Sequence, residues 1–189
     1  MSRFSLCFPF IDGLEKTLPQ ILRILLCSIS SVYRLLGGRS ILPRLEYTPS
    51  LILPRNRGKN MTLIASLSLQ GLGESLILDG SANAEVFEIY VEQILAPSLQ
   101  PGQMVIMDNL SIHKGTKVRQ LIEARGCQLL FLPAYSPDLS PIEEAFSKVK
   151  AVLRRIGART REALQEALEY ALTTVSASDA SGWFSHCGY

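Results

Sequence analysis

Residues 61–80 read MTLIASLSLQGLGESLILDG. Two strand-like runs flank Gly71-Leu72-Gly73, a pattern that predicts a β-hairpin. The next segments alternate. Asn83 is placed to cap a helix carrying Val86, Phe87, Tyr90 and Ile94 on one face and stopping near Pro97. Met104 to Met107 is wholly apolar, as a buried strand is, and runs straight into Asp108. A helix over Thr116 to Arg125 turns Val118, Leu121 and Ile122 inward and stops at Gly126. Gln128 to Leu132 reads as another buried strand. Ser140 and Thr160 open two further helices, the second with Leu164, Ala167, Leu168 and Leu172 on one face. The order β-β-α-β-α-β-α-α implies an α/β fold, a mixed sheet flanked by helices.

Composition agrees with one ordinary domain. The chain has 189 residues, 47% of them apolar, which is too many for a disordered chain. A net charge of +2 does not by itself argue for nucleic acid, so any basic signal has to be local. Cys7, Cys27, Cys127 and Cys187 form no CxxC pair and read as reduced thiols. Residues 1–53 look unlike the rest: rich in Leu, Ile, Ser, Arg and Pro, without clean periodicity. Within them, Leu18 to Leu36 reads as helix. Arg23 and Arg34 interrupt that run, and a membrane span needs about 20 mostly apolar residues. No signal-peptide pattern is visible either, so no membrane partner is expected. The expected division is an atypical apolar segment, 1–53, and the alternating α/β domain, 54–189.

Two acids stand where chemistry is often done. Asp108 follows a buried strand, and ligands of open α/β sheets gather outside the carboxyl ends of strands. It could equally tie the turn DNLSIHKG. Glu143 fits a capping box, with Ser140 at the cap, Pro141 at the first helical position and glutamate at the third. It could instead join Asp108 in holding a hard divalent cation, which takes oxygen ligands. Asp138 reads as a turn residue and Glu144 as solvated.

MVIMDNLSIHKG and LLFLPAYSPDLSPIEEAFSKVK resemble the second and third acidic motifs of DDE transposases of the Tc1/mariner and IS630 type. Asp108 and Glu143 match the second and third acids, 35 residues apart, close to that family's spacing. The resemblance covers roughly residues 54–185. It implies an RNase H-like core with an incomplete or atypical first strand, and cutting and joining of phosphodiester bonds with two Mg²⁺ (or Mn²⁺) ions. It also implies DNA partners (transposon ends and target), a homodimer, and a bacterial cytoplasmic, nucleoid-associated setting. The first acid of the family is matched worst. Asp12, in FPFIDGLEKTL, is the best candidate, although Gly13 stands where a second acid is usual; Asp79 is a weaker one. Residues 1–53 then read as out of frame or degenerate relative to the family.

The expected DNA contacts are Arg55, Arg57 and Lys59, His113 and Lys114, and Lys148, Lys150, Arg154 and Arg155 after the third acid. His113 could also steady an acid or simply bond to backbone. Three functions stay open: a transposase catalytic domain, a non-cleaving remnant that binds DNA or dimerises, and another RNase H-like nuclease.

Overall fold

The computed structural model describes residues 24–31, by their backbone pairing, and residues 61–189. Five strands form one sheet: β1 (Ile24–Ser31), β2 (Met61–Ser68), β3 (Gly71–Asp79), β4 (Met104–Met107) and β5 (Gln128–Phe131), in the order β3-β2-β1-β4-β5. β1 is antiparallel to β2 and parallel to β4, and β4 is parallel to β5. The sheet is therefore mixed, as the alternation of elements predicted.

The largest departure from the sequence reading is β1. Helix was expected across Leu18 to Leu36, yet Ile24–Ser31 is the central strand. Eight residues with no polar period do not distinguish strand from helix locally; pairing with two neighbours decides it. The stretch set apart by composition thus contributes a strand to the same sheet, so residue 53 does not bound the sheet. The first strand is present but atypical in sequence.

The hairpin β2–β3 forms, with its turn at Leu69 and Gln70 instead of Gly71-Leu72-Gly73, because Gly71 already pairs with Ser68. Gly71 has φ 114, and a Cβ there would come within 3.1 Å of the Val175 carbonyl oxygen, so glycine is required. β5 is an edge strand, buried at Leu129 but exposed at Leu130, and not buried throughout as its sequence suggested.

Helices cover both faces. On one lie α1 (Ala84–Tyr90), extended by a π-helical turn (Val91–Leu95) and a last turn (Ala96–Ser98), and α2 (Thr116–Glu123). Asn83 caps α1, its side-chain oxygen accepting from the Val86 amide at 2.8 Å. The π turn inserts a residue and shifts the buried stripe, so Val91 and Leu95 are buried while Ile94 is only partly so. On the other face lie α3 (Pro141–Ile156), α4 (Arg161–Thr173) and a C-terminal helix the sequence reading missed, α5 (Ala177–His186). Thr160 caps α4 as expected.

The sheet's alternation sorts the core into two halves. Leu63, Ala65, Leu67 and Ile106 pack with α3 to α5; Ile64, Val105 and Met107 pack with α1 and α2. Among the described residues no helix is long and apolar enough to cross a membrane.

Candidate active site

β4 ends at Met107, and Asp108 is the next residue. Ile106 faces the α3 side while Val105 and Met107 face the other, so the two-residue period carries Asp108 toward α3. Its carboxylate oxygen Oδ1 accepts from the Leu110 amide at 3.3 Å, as a turn-stabilising aspartate does. The same oxygen lies 2.5 Å from His113 Nδ1. Both the turn role and a cleft position are therefore realised together.

Glu143 arrives from the other wall. A 3₁₀ turn (Pro137–Leu139) leads into α3, with Pro141 at its start. The expected capping box does not form. Ser140 has φ −117 and ψ 86, is buried, and makes no side-chain cap bond. Only backbone joins the two residues, the Glu143 amide donating to the Ser140 carbonyl at 3.0 Å. The helix start is fixed instead by burial of Pro141 and Ile142 and, just before it, by the Tyr189 hydroxyl donating to the Leu139 carbonyl at 2.7 Å. A side-chain capping box does exist, at Ser176 and Asp179. The Glu143 carboxyl is thus not drawn back into its own helix.

Asp108 and Glu143 line one cleft of about 360 Å³ with Asn109, Leu132, Tyr135 and Ser140 among its walls. Withdrawal from water pushes the Glu143 carboxyl above its ordinary range; Lys150 opposes this, and the nearby charge of Asp108 adds to it. Tyr135 stands fully exposed on the rim at φ 59, the one non-glycine residue of positive φ among those described.

The donor set suits one hard divalent cation. Two carboxylates that repel each other across a cleft are relieved by a cation between them, with water or phosphate oxygens completing its shell. Among the described residues, no group of three or more His, Cys, Asp and Glu could hold a metal. β1 reads ILLCSISS and brings no acid. Cys27 pairs with Met107, so the next register position beside Asp108 belongs to Ser28. Asp79 ends β3, three strand spacings or roughly 14 Å from β4, and pairs with Arg161. It does not join the site.

The expected DNA contacts separate. Asp12, Arg55, Arg57 and Lys59 lie outside the described residues. Lys114 is exposed. His113 is fully buried against Asp108, which argues against a direct DNA contact. The Lys148 ammonium is held by Asp179 at 2.6 Å, tying α3 to α5, so its charge is already spent. Lys150 and Arg154 follow Glu143 by seven and eleven residues, close to two and three full turns, and so share its face of α3. Arg155 is exposed on a different face. Sequence reasoning missed the pinning of α3 by Tyr189, a contact 50 residues away with no local signal.

A five-stranded mixed sheet clothed on both faces, with two carboxylates lining a cleft beyond a strand end, has the RNase H-like architecture. The chain belongs to the DDE superfamily endonuclease family, which it matches over residues 46–165. The match begins after β1. Among solved structures, the catalytic domain of Mos1 mariner transposase is similar, with 16% identity and a TM-score of 0.62, over 88% of this chain and 76% of that one. The same domain with Raltegravir and Mn gives 15% identity and 0.62, over 88% and 78%. The Mos1 strand transfer complex gives 18% and 0.61, over 88% and 51%, so this chain spans about half that transposase chain. No curated protein sequence matches.

Proposed function

We propose that the chain is the catalytic core of a DDE-type DNA transposase, binding a DNA phosphodiester between Asp108 and Glu143. The observation that supports this is the convergence of both carboxylates on one cleft, from a rigid strand end and a helix start. A divalent cation held there would stabilise the charge developing on phosphoryl oxygens and lower the pKa of bound water. The chain's own residues bind and orient. Asp108 is held by its turn with His113 close beside it, Glu143 is presented by α3, and Lys150 and Arg154 extend a cationic track for the DNA backbone. A second ion, expected from the resemblance, needs a further acid, for which Asp12 is the remaining candidate. Mos1 has been solved as a paired-end complex; by likeness we extend pairing of two DNA ends by two copies to this protein, to be read by light scattering.

One observation favours a second reading: the central strand β1 carries no carboxylate. A site with two acids supports DNA binding without cutting. The experiment is Mn²⁺-dependent nicking of DNA carrying the element's ends, with Asp108→Ala and Glu143→Ala, alongside DNA binding by gel shift. Nicking lost in both variants supports the transposase reading. Nicking that survives both sinks the site. Binding without nicking supports the second reading.

A further inference from the structure

The loop between β5 and α3 is pinned at both ends. On one side the Leu132 amide donates to the Met107 carbonyl at 2.8 Å, continuing the ladder past β5. On the other, the Leu139 amide donates to the Ser136 carbonyl at 3.2 Å and the Ser140 amide to the Pro137 carbonyl at 2.9 Å. Pro133 and Pro137 stiffen the span between, Pro137 restricting Ser136 as well. In its middle Tyr135 takes φ 59, a left-handed conformation in which an L-residue is strained and glycine is not. Its side chain is 102% exposed, so packing does not call for a ring there. Tyr135 nevertheless lines the cleft of Asp108 and Glu143, and Leu110, another exposed apolar side chain, lines it from the loop after β4. Strained residues of this kind cluster at binding and active sites.

We infer that Tyr135 is a stacking platform for the base of an unpaired nucleotide next to the phosphate held between Asp108 and Glu143. The inference rests on the proposed function and deepens it: the substrate class becomes DNA locally opened beside the phosphodiester. A phosphate in the cleft brings its own sugar and base to the rim, where the phenol ring stands. A base inside a duplex has both faces covered by its neighbours, so only an unpaired one offers a face to the ring. Stacking on an aromatic side chain accepts any base, since every base has a π-face. A pinned loop also has less freedom to lose on binding than a slack one. Lys150 and Arg154, in line with Glu143 on α3, take the neighbouring phosphates.

Fluorescence anisotropy on the whole chain tests it, with Ca²⁺ supplied as a hard cation for the cleft. The probes are a short thymidine strand and an abasic strand of the same length and charge, each carrying a fluorophore. The unmodified chain should bind the thymidine strand on the order of tenfold more tightly. Tyr135→Ala should lose that preference while keeping its affinity for the abasic strand, which also shows the cleft intact. Tyr135→Phe should keep the preference, since a phenyl ring stacks without the hydroxyl. An unmodified chain that binds both strands equally overturns the stacking alone. So does a preference that survives Tyr135→Ala, or a Tyr135→Ala chain that weakens on both strands alike. A preference lost in Tyr135→Phe overturns it too, because the hydroxyl and not the ring face would then hold the base. An unmodified chain that binds neither strand overturns the proposed function, and the stacking with it.

Discussion

Phe146 is the anchor through which the core sets the position of Glu143. It lies three residues further along α3, is 1% exposed, and packs among Ile142, Val149 and Leu153 in the cluster shared with β2, α4 and α5. Truncation to alanine removes a fully buried ring where helices from three elements leave little room to collapse. Such a loss costs roughly 3–5 kcal/mol. For a chain of this size each kcal/mol lowers the melting temperature by about 2–4 °C, so Phe146→Ala should melt roughly 6–20 °C lower. Phe146→Leu keeps much of the apolar volume and should lose less. Far-UV circular dichroism followed through thermal unfolding reads both. Because α3 carries Glu143 on its first turn, stabilisation by Mn²⁺ should also shrink in the alanine variant, measured as the shift in melting temperature on adding the ion. A Phe146→Ala protein melting within about 2 °C of the unmodified chain would refute the reasoning, since α3 would then be held by something other than this core.

Other outcomes follow from single contacts. Hydrogen bonds from Lys148 first, then from the Ser176 hydroxyl and amide, hold the Asp179 carboxyl well below its usual range. A depressed folded pKa gives stability that is present above the unfolded value, about 3.9, and lost as pH falls through the folded one. Asp179→Asn should therefore melt lower near neutral pH, with the difference closing in acid; a difference independent of pH would contradict the ion pair. Ser28→Asp places a carboxylate at the register position beside Asp108 and should tighten Mn²⁺ binding on the order of tenfold, ~1.4 kcal/mol. Unchanged affinity by calorimetry would show that the β1 register does not reach the cleft. Tyr135 occupies the left-handed region, which costs an L-residue about 1–2 kcal/mol, partly offset in glycine by about 0.5–1 kcal/mol of chain entropy. Tyr135→Gly should thus raise the denaturant midpoint slightly, and a fall would mean that the ring is held by contacts.

The sequence by itself determined what is local. The apolar run Met104–Met107 announced a strand and put Asp108 at its end. Asn83 and Thr160 announced helix starts, and both caps form, because an N-cap needs only its own first turn. The motif strings around Asp108 and Glu143 pointed to the family that residues 46–165 match. Tertiary structure decided the rest. ILLCSISS became the central strand only by pairing with β2 and β4, the second of them some eighty residues away. Ser140 did not cap α3, because its burial and backbone angles were set by the fold around it. The basic residues of α3 looked alike in sequence. Asp179, 31 residues beyond Lys148, took that ammonium, while helical period left Lys150 and Arg154 in line with Glu143. His113, expected as a DNA contact, as a group steadying an acid or as a backbone partner, is buried beside Asp108, since a 3₁₀ turn carries it back into the interior. Propensity and capping act over a few residues and can be read along the chain. Register, burial and charge pairing depend on partners that only folding brings together.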